Sequence, residues 1–179
     1  MLDLEYVMDL IKKRRSVRKY DMERLVEKDL LEKLCVAGQW APTPSNIQSL
    51  HFVVLDGTTE EMELTKDLSP GFPKEASSAI VICSDLKRAE GFSEKNRMIL
   101  CAEEASAAAE NITLAATAAG LGSCFVASFH QGGIKKALKL PSIVQPILII
   151  ALGYPDEKGE VSERRRRDIG SVIHWNGWE

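Results

Sequence analysis

Several signatures of familiar protein classes are missing from this 179-residue sequence. It has no GxGxxG pattern after a first strand and no GxxxxGK[ST] loop, so the two standard phosphate-binding loops are absent. It also has no GxSxG motif and no Cys–His pair with a third partner, which argues against a side-chain nucleophile. Glu103 and Glu104 lie on a predicted helix, where surface salt bridging is their expected role. Chemistry supplied by a bound cofactor is the class that fits best.

An excess of positive charge is also lacking. The chain has 23 lysines and arginines against 26 acidic residues, which argues against nucleic acid as its main partner. The longest apolar run, Ile147 to Leu152, is too short to span a bilayer, and the acidic start does not resemble a signal peptide. With 45% hydrophobic residues, we expect one soluble, cytoplasmic domain covering residues 1–179.

The cysteines and histidines show no metal-ligand spacing. No CxxC pair is present, and each cysteine lies in an apolar segment, which is typical of buried free thiols in a reducing cytosol. The histidines are far apart along the chain, so we expect no metal site. The four cysteines are Cys35, Cys83, Cys101 and Cys124.

Hydrophobic periodicity and breaker residues predict five helices and four strands. The order of these elements predicts one α/β-type domain whose helices can cover both faces of a sheet. The longest helix is rich in alanine on every side, so we expect it to be central or to cross its copy at a dimer interface. The predicted helices are 3–13, 27–40, 58–68, 98–119 and 134–138, and the predicted strands are 51–55, 79–83, 123–128 and 146–152.

The first candidate site follows the first helix, at Arg14-Arg15-Ser16-Val17-Arg18. In an extended backbone Arg14, Ser16 and Arg18 share one face. Two guanidinium groups with a hydroxyl between them suit a phosphate monoester. The alternative is that these cations only interact with solvent and with the carboxyl end of the helix.

The second candidate site is the run of four arginines at 164–167. Alternation would turn Arg165 and Arg167 toward one anion and leave Arg164 and Arg166 facing water. Two arginine clusters in an acidic protein indicate one small, highly charged ligand that is met from two directions. The alternatives are a solvated run or a weak contact with nucleic acid.

The third candidate site is the proline-bearing loop at residues 41–49. Its two prolines stiffen the backbone and reduce the entropy lost when polar side chains are ordered around a ligand. Asn46 and Gln48 each offer a donor and an acceptor together, which suits the pyrimidine edge of a flavin. The alternative is an ordinary Pro/Ser/Asn turn.

Taken together, these motifs resemble the FMN-dependent nitroreductase family nearly from end to end. Each piece is weak alone, but six pieces in the right order and spacing are hard to obtain by chance. The matching residues are Arg14, Arg15, Ser16, Arg18 and Tyr20; Ala41, Pro42, Thr43, Asn46 and Gln48 with the following strand; Asn111, Leu114, Ala115, Ala116, Gly120, Leu121 and Gly122; Leu138 to Pro141; Leu152 to Pro155; and His174, Asn176 and Trp178.

The resemblance implies an α+β fold with a central mixed, mainly antiparallel sheet flanked by helices. It also implies a homodimer with an exchanged C-terminal tail and with FMN held non-covalently at the interface. One subunit would hold the phosphate and ribityl chain, the partner would contact the flavin ring, and no side chain would be catalytic because the flavin carries the hydride on N5. The first set is Arg14, Arg15, Ser16, Arg18, Arg165 and Arg167; the second is Pro42, Thr43, Pro44, Asn46 and Gln48; and Ala127 and Ser128 would lie beside the ring.

The resemblance further implies a ping-pong oxidoreductase. NADH or NADPH would reduce the flavin and leave, and a small oxidant such as a nitroaromatic or a quinone would take its place. Ser49 stands where the family often has proline, Leu50 where it often has an aromatic residue, and Pro44 where it has a small one. These departures keep open an alternative, an FMN-binding sensor or carrier with little turnover.

Overall fold

The computed structural model describes residues 3–156 and 164–178. Its helices and strands follow the predicted order, with an additional 3₁₀ turn at Pro44–Asn46 and another at Ile169–Ser171 in the tail. The helices are α1 (Leu4–Lys13), α2 (Lys28–Gln39), α3 (Glu60–Asp67), α4 (Glu94–Ala118) and α5 (Gln131–Ala137). The strands are β1 (Leu50–Asp56), β2 (Ser78–Asp85), β3 (Gly122–Val126) and β4 (Val144–Gly153).

The four strands form one sheet in the order β1-β2-β4-β3, and every neighbouring pair is antiparallel. The α+β class implied by the resemblance is therefore confirmed, and the α/β-type prediction from element order is wrong. The connection between β1 and β2 explains the difference. Because β2 begins at the end of the sheet where β1 ends, α3 does not carry the chain back to the other end, and the two strands run antiparallel. Within the described residues, parallel pairing is limited to one bridge, between Ser16 and Ser123.

The sheet is covered on both faces, and each face has its own apolar core. On one face, Leu31 and Leu34 of α2 and Ile112 of α4 pack against Ile80 and Ile150 of the central strands. On the other face, a second cluster is built from the opposite sides of β2 and β4 together with α3, α5 and the segment after α1. The continuous burial of β2 confirms its predicted central position.

Two helix ends differ from the sequence prediction. Helix α4 begins at Glu94, four residues before the predicted start, and the hydroxyl of Ser93 caps it by accepting from the Asn96 N–H. The sequence did not predict this first turn because the charged segment before Met98 has no apolar periodicity. Helix α3 is capped by Thr59, whose hydroxyl accepts from the Met62 N–H at 3.2 Å, one residue after the predicted capping threonine.

The carboxyl end of α4 has the glycine geometry that the sequence predicts. Gly120 has φ +78°, and its N–H donates to the carbonyl of Thr117 at 3.1 Å. The N–H of Leu121 donates to the carbonyl of Ala116 at 2.8 Å. This pair of bonds ends the helix and turns the chain directly into β3.

Helix α1 is the one of the five described helices that buries none of its residues against the rest of the described chain. Its predicted apolar stripe is present, but Leu4 is 70% exposed and none of its residues is buried. Trp40, Trp175 and Trp178 are each more than 80% exposed. These apolar surfaces have no cover within the described residues. No helix in residues 3–156 and 164–178 combines the length and apolar character that crossing a membrane requires.

The four cysteines are free thiols, and all except the half-buried Cys35 are buried. Burial raises the pKa of the Cys83 thiol to about 12. Burial, together with the Glu32 carboxylate, raises the pKa of Cys35 to about 11. Both thiols are therefore poor nucleophiles near neutral pH.

We predict slow and ordered alkylation of these thiols in the folded protein. With iodoacetamide at pH 8, Cys35 should react first because it is half-buried while the other three thiols are buried, and because its pKa is lower than that of Cys83. Mass spectrometry of peptides taken over time measures the order, and a urea-unfolded sample, in which all four should react together, is the control. Labelling of Cys83 as fast as Cys35 in the folded protein would contradict this description of the core.

Candidate functional site

The first arginine segment lies in an extended conformation beside β3. Ser16 forms its bridge with Ser123, and the N–H of Val17 donates to the carbonyl of Ser123 at 2.9 Å. The backbone approaches this closely because residue 122 is glycine, and a Cβ added there would lie 2.8 Å from Val17. The segment is therefore held against the start of an edge strand.

The second arginine segment meets the first in the described structure. A guanidinium nitrogen of Arg164 donates to the main-chain carbonyl of Arg14, 150 residues away in sequence. The contact is made by Arg164, which alternation had assigned to the water-facing side. Arg165 and Arg167 are exposed, so their assignment to an anion stays a prediction.

Positive charge is concentrated at this junction. Nε of Arg14 lies 3.3 Å from a carboxylate oxygen of Glu110 on α4. Partial burial, followed by the charges of Arg14, Arg166 and Arg15, lowers the pKa of Arg164, and Glu110 opposes this shift. The mutual repulsion of these guanidinium groups would be relieved by a small anion with two negative charges.

Tyr20 anchors the arginine segment through a side-chain hydrogen bond, a role that the sequence did not reveal. Its ring is buried, and its hydroxyl donates to the carbonyl of Val17 at 2.8 Å. Burial strongly raises the pKa of this hydroxyl, with a contribution from Cys124, while the charge of Arg18 acts in the opposite direction. The tyrosine therefore stays a neutral donor and holds the backbone at Val17, next to the exposed Arg18.

Ala127 and Ser128 directly follow the last residue of β3, and both are exposed. Ala127 lies four residue steps after Ser123, which corresponds to about 13 Å of extended strand. The arginine segment and the residues predicted to lie beside a flavin ring are thus arranged along one edge strand.

The proline-bearing loop adopts an unusual backbone. Ser45, Asn46 and Gln48 have φ values of 48°, 55° and 49°, a region that non-glycine residues seldom occupy. The Gln48 N–H donates to the hydroxyl of Thr43 at 3.2 Å. Such geometry persists only where surrounding contacts impose it, and it is frequent at ligand sites. Thr43 and Pro44 are half-buried, whereas Pro42, Asn46 and Gln48 are exposed.

A cleft of about 240 Å³ opens beside this loop, and Thr43, Gln48, Phe52 and Arg88 are among the residues that line it. Nε of Arg88 donates to the carbonyl of Ile47 at 2.8 Å. The segment between β2 and α4, to which the sequence assigned no role, therefore supports the loop.

Glu104 lies at the floor of the same cleft, and it corrects the sequence interpretation. Its side chain is 1% exposed instead of forming surface salt bridges, while Glu103 is exposed as expected. The alanine-rich surroundings make all faces of α4 look alike in the sequence, so the pattern could not distinguish these two acids.

The loop and the arginine segments do not meet within one chain. The loop leads into β1 and the arginine segment lies beside β3, and these strands form opposite edges of the sheet. Three strand spacings separate them, about 14 Å at roughly 4.8 Å per spacing. The register places the start of β1 at the same end of the sheet as Ala127. One chain therefore carries two separate groups of candidate residues, the loop at residues 41–49 and the arginine segments beside β3, which are called half-sites below.

This fold, with an arginine segment held beside its edge strand β3, defines an oxidoreductase of the nitroreductase type. The model of the nitroreductase family matches residues 11–75 and 60–154. The chain belongs to the nitroreductase family, and the resemblance found in the sequence is confirmed.

Individual relatives agree with this assignment. A protein of Archaeoglobus fulgidus named as an NADH dehydrogenase/NAD(P)H nitroreductase is 30% identical over 98% of this chain and 100% of its own length. An NADPH-dependent oxidoreductase of Staphylococcus aureus is 28% identical over 96% of this chain and 74% of its own. The crystal structure of a nitroreductase family protein from Clostridium difficile superposes with a TM-score of 0.81 at 28% identity, over 95% of this chain and 98% of that one.

Gly122 provides a test of how the arginine segment is held. Gly122→Ala should lower the free energy of unfolding by about 1–3 kcal/mol because the new methyl group overlaps Val17. Urea unfolding measures the change. Gly91→Ala is the matched control, because its added Cβ meets nothing within 4 Å. Equal stability of the two variants would contradict the close approach described here.

Proposed function

We propose that this chain is an FMN-dependent oxidoreductase that passes electrons from NADH or NADPH to a small oxidant by a ping-pong mechanism. Nitroaromatics and quinones are the proposed acceptors. The observation that carries the proposal is the contact between Arg164 and the Arg14 carbonyl, which gathers guanidinium groups from two distant segments. We further propose that residues 1–179 form one domain and that the enzyme acts in the cytoplasm.

The residues at the junction suit the phosphate of FMN. Arg14, Arg15 and Arg18 with the Ser16 hydroxyl offer charged and neutral donors, and Arg165 and Arg167 extend the donor set from the tail. The lowered pKa of Arg164 supports an anion here, since burial and the neighbouring positive charges disfavour its protonated form. Ala127 and Ser128, further along β3, would adjoin the ring.

The separation of the two half-sites supports a homodimer. In the proposed dimer, the loop of one subunit meets the edge strand of its partner, which brings Pro42, Thr43, Pro44, Asn46 and Gln48 to the flavin ring. The exposed apolar stripe of α1 supports the proposal, because such a surface is typical of a buried interface. The tail would cross to the other subunit and bury Trp175 and Trp178, which are exposed in the single chain.

The protein contributes binding, orientation and electrostatics to the proposed reaction. Bound FMN supplies reversible two-electron transfer, so no catalytic side chain is required. The arginine junction fixes the phosphate end, while the left-handed loop offers amide groups to the pyrimidine edge of the ring. The main-chain N–H groups of Ala127 and Ser128, which follow the last paired residue of β3, would stand beside the ring as donors in the proposed complex.

The proposal is tested by spectroscopy of the purified protein. We expect it to bind FMN and turn yellow, and anaerobic NADH or NADPH should bleach the bound flavin. Riboflavin, which lacks the phosphate, should bind at least about tenfold more weakly, because hydrogen bonds to a charged group each contribute about 1.5–3 kcal/mol. This comparison is the control for the arginine junction.

Each other outcome has a distinct meaning. A protein that takes up no FMN contradicts the proposal. Binding of FMN without reduction by either nucleotide would instead make the chain a flavin sensor or carrier. Equal affinity for FMN and riboflavin would show that the arginine junction does not hold the phosphate.

A further inference from the structure

Glu104 makes a buried hydrogen-bond network with two serines. One carboxylate oxygen accepts from the Ser49 N–H at 3.0 Å, and the other accepts from the Ser49 hydroxyl at 2.6 Å. The hydroxyls of Ser49 and Ser84 are 2.7 Å apart. Because the single hydroxyl proton of Ser49 is directed at the carboxylate, Ser84 is the donor in that second bond.

The carboxylate has no cationic partner in this network. Within residues 3–156 and 164–178, none of the ion pairs involves Glu104. A buried charge without a counter-ion is costly, and it is retained only where its hydrogen bonds are needed. Both of its oxygens face donors of Ser49, so the contact that the group makes is with Ser49.

Ser49 is the last residue of the loop with the left-handed backbone. Four consecutive N–H groups, those of residues 46–49, are hydrogen-bonded to Thr43, to Pro44, to Thr43 again and to Glu104 respectively. Of these four bonds, only the one to Glu104 joins the loop to another element of the fold, helix α4. A proline at position 49 would supply neither the N–H nor the hydroxyl.

We propose that Glu104 is a positioning residue that fixes the loop at residues 43–48 for contact with the flavin ring. The carboxylate acts through Ser49, and Arg88 supports the same loop through the Ile47 carbonyl. The inference rests on the proposed function, since it assumes that this loop contacts bound FMN. It adds to that function a residue of α4 that anchors the ring-side half of the site.

Glu104→Gln tests the proposal with little change in shape. An amide nitrogen would face one of the two donors of Ser49, so the loop should lose its anchor. In the protein without FMN, we expect the amides of residues 46–49 to exchange with deuterium at least about tenfold faster. The dissociation constant for FMN should rise at least about tenfold, and the visible circular dichroism of the bound flavin should change.

Two further variants separate this role from general destabilisation. Glu103→Gln removes the neighbouring exposed carboxylate of the same helix and should leave exchange and FMN affinity unchanged. Ser49→Ala removes the hydroxyl bonds. The double variant Glu104→Gln/Ser49→Ala should bind FMN no more weakly than Glu104→Gln alone, because both changes act on one contact.

The outcomes keep this inference distinct from the proposed function. If the unsubstituted protein takes up no FMN, the proposed function fails, and the inference fails with it as a statement about flavin binding. If that protein binds FMN, unchanged loop exchange and unchanged FMN affinity in Glu104→Gln overturn the inference alone, even where the melting temperature falls. Should Glu104→Gln not fold, Ser49→Ala decides by the same two measurements.

Discussion

The strand order β1-β2-β4-β3 is the constraint on which the site depends. It places the proline-bearing loop and the arginine segments at opposite edges of a sheet whose centre is filled by buried strands. No side-chain movement can bring these groups together across two central strands, because the core on both faces is closely packed. The proposed flavin site therefore takes its residues from two chains, and the exposed stripe of α1 is the surface on which we propose that they pack.

Electrostatics gives each half-site a different character. Guanidinium groups collect at the junction of Arg14 and Arg164, where repulsion is relieved only in part by Glu110. The opposite half-site has a buried carboxylate, and that group is used for hydrogen bonds within the chain instead of for a ligand. The first half-site thus suits an anionic phosphate, and the second suits a neutral ring with polar edges.

Much of this arrangement could be predicted from the sequence, because local patterns have local causes. The glycine after α4 and the uninterrupted apolar run of β2 each specified their own geometry. Strand direction was not accessible in this way, since the element order of an antiparallel sheet with helical excursions is the same as that of a parallel one. The resemblance to a family supplied the missing direction.

The features that the sequence could not reveal all depend on contacts between distant segments. Glu103 and Glu104 are identical neighbours, and only the approach of Ser49 distinguishes the buried acid from the exposed one. Alternation assigned Arg164 to water, yet the proximity of Arg14 turns it inward. The support that Arg88 gives to the loop depends on its hydrogen bond to the Ile47 carbonyl, a contact between segments that are far apart in the sequence.

Hybrid dimers test whether each flavin site is shared between two chains. One chain would carry Arg18→Gln and the other Asn46→Gly, which removes the amide but keeps the left-handed backbone available. Two affinity tags would isolate the mixed species for FMN titration. If sites are shared, each hybrid dimer has one intact site and regains one high-affinity FMN, although neither parent dimer has any. Failure of the hybrids to regain a high-affinity site would show that the two chains do not share a flavin site.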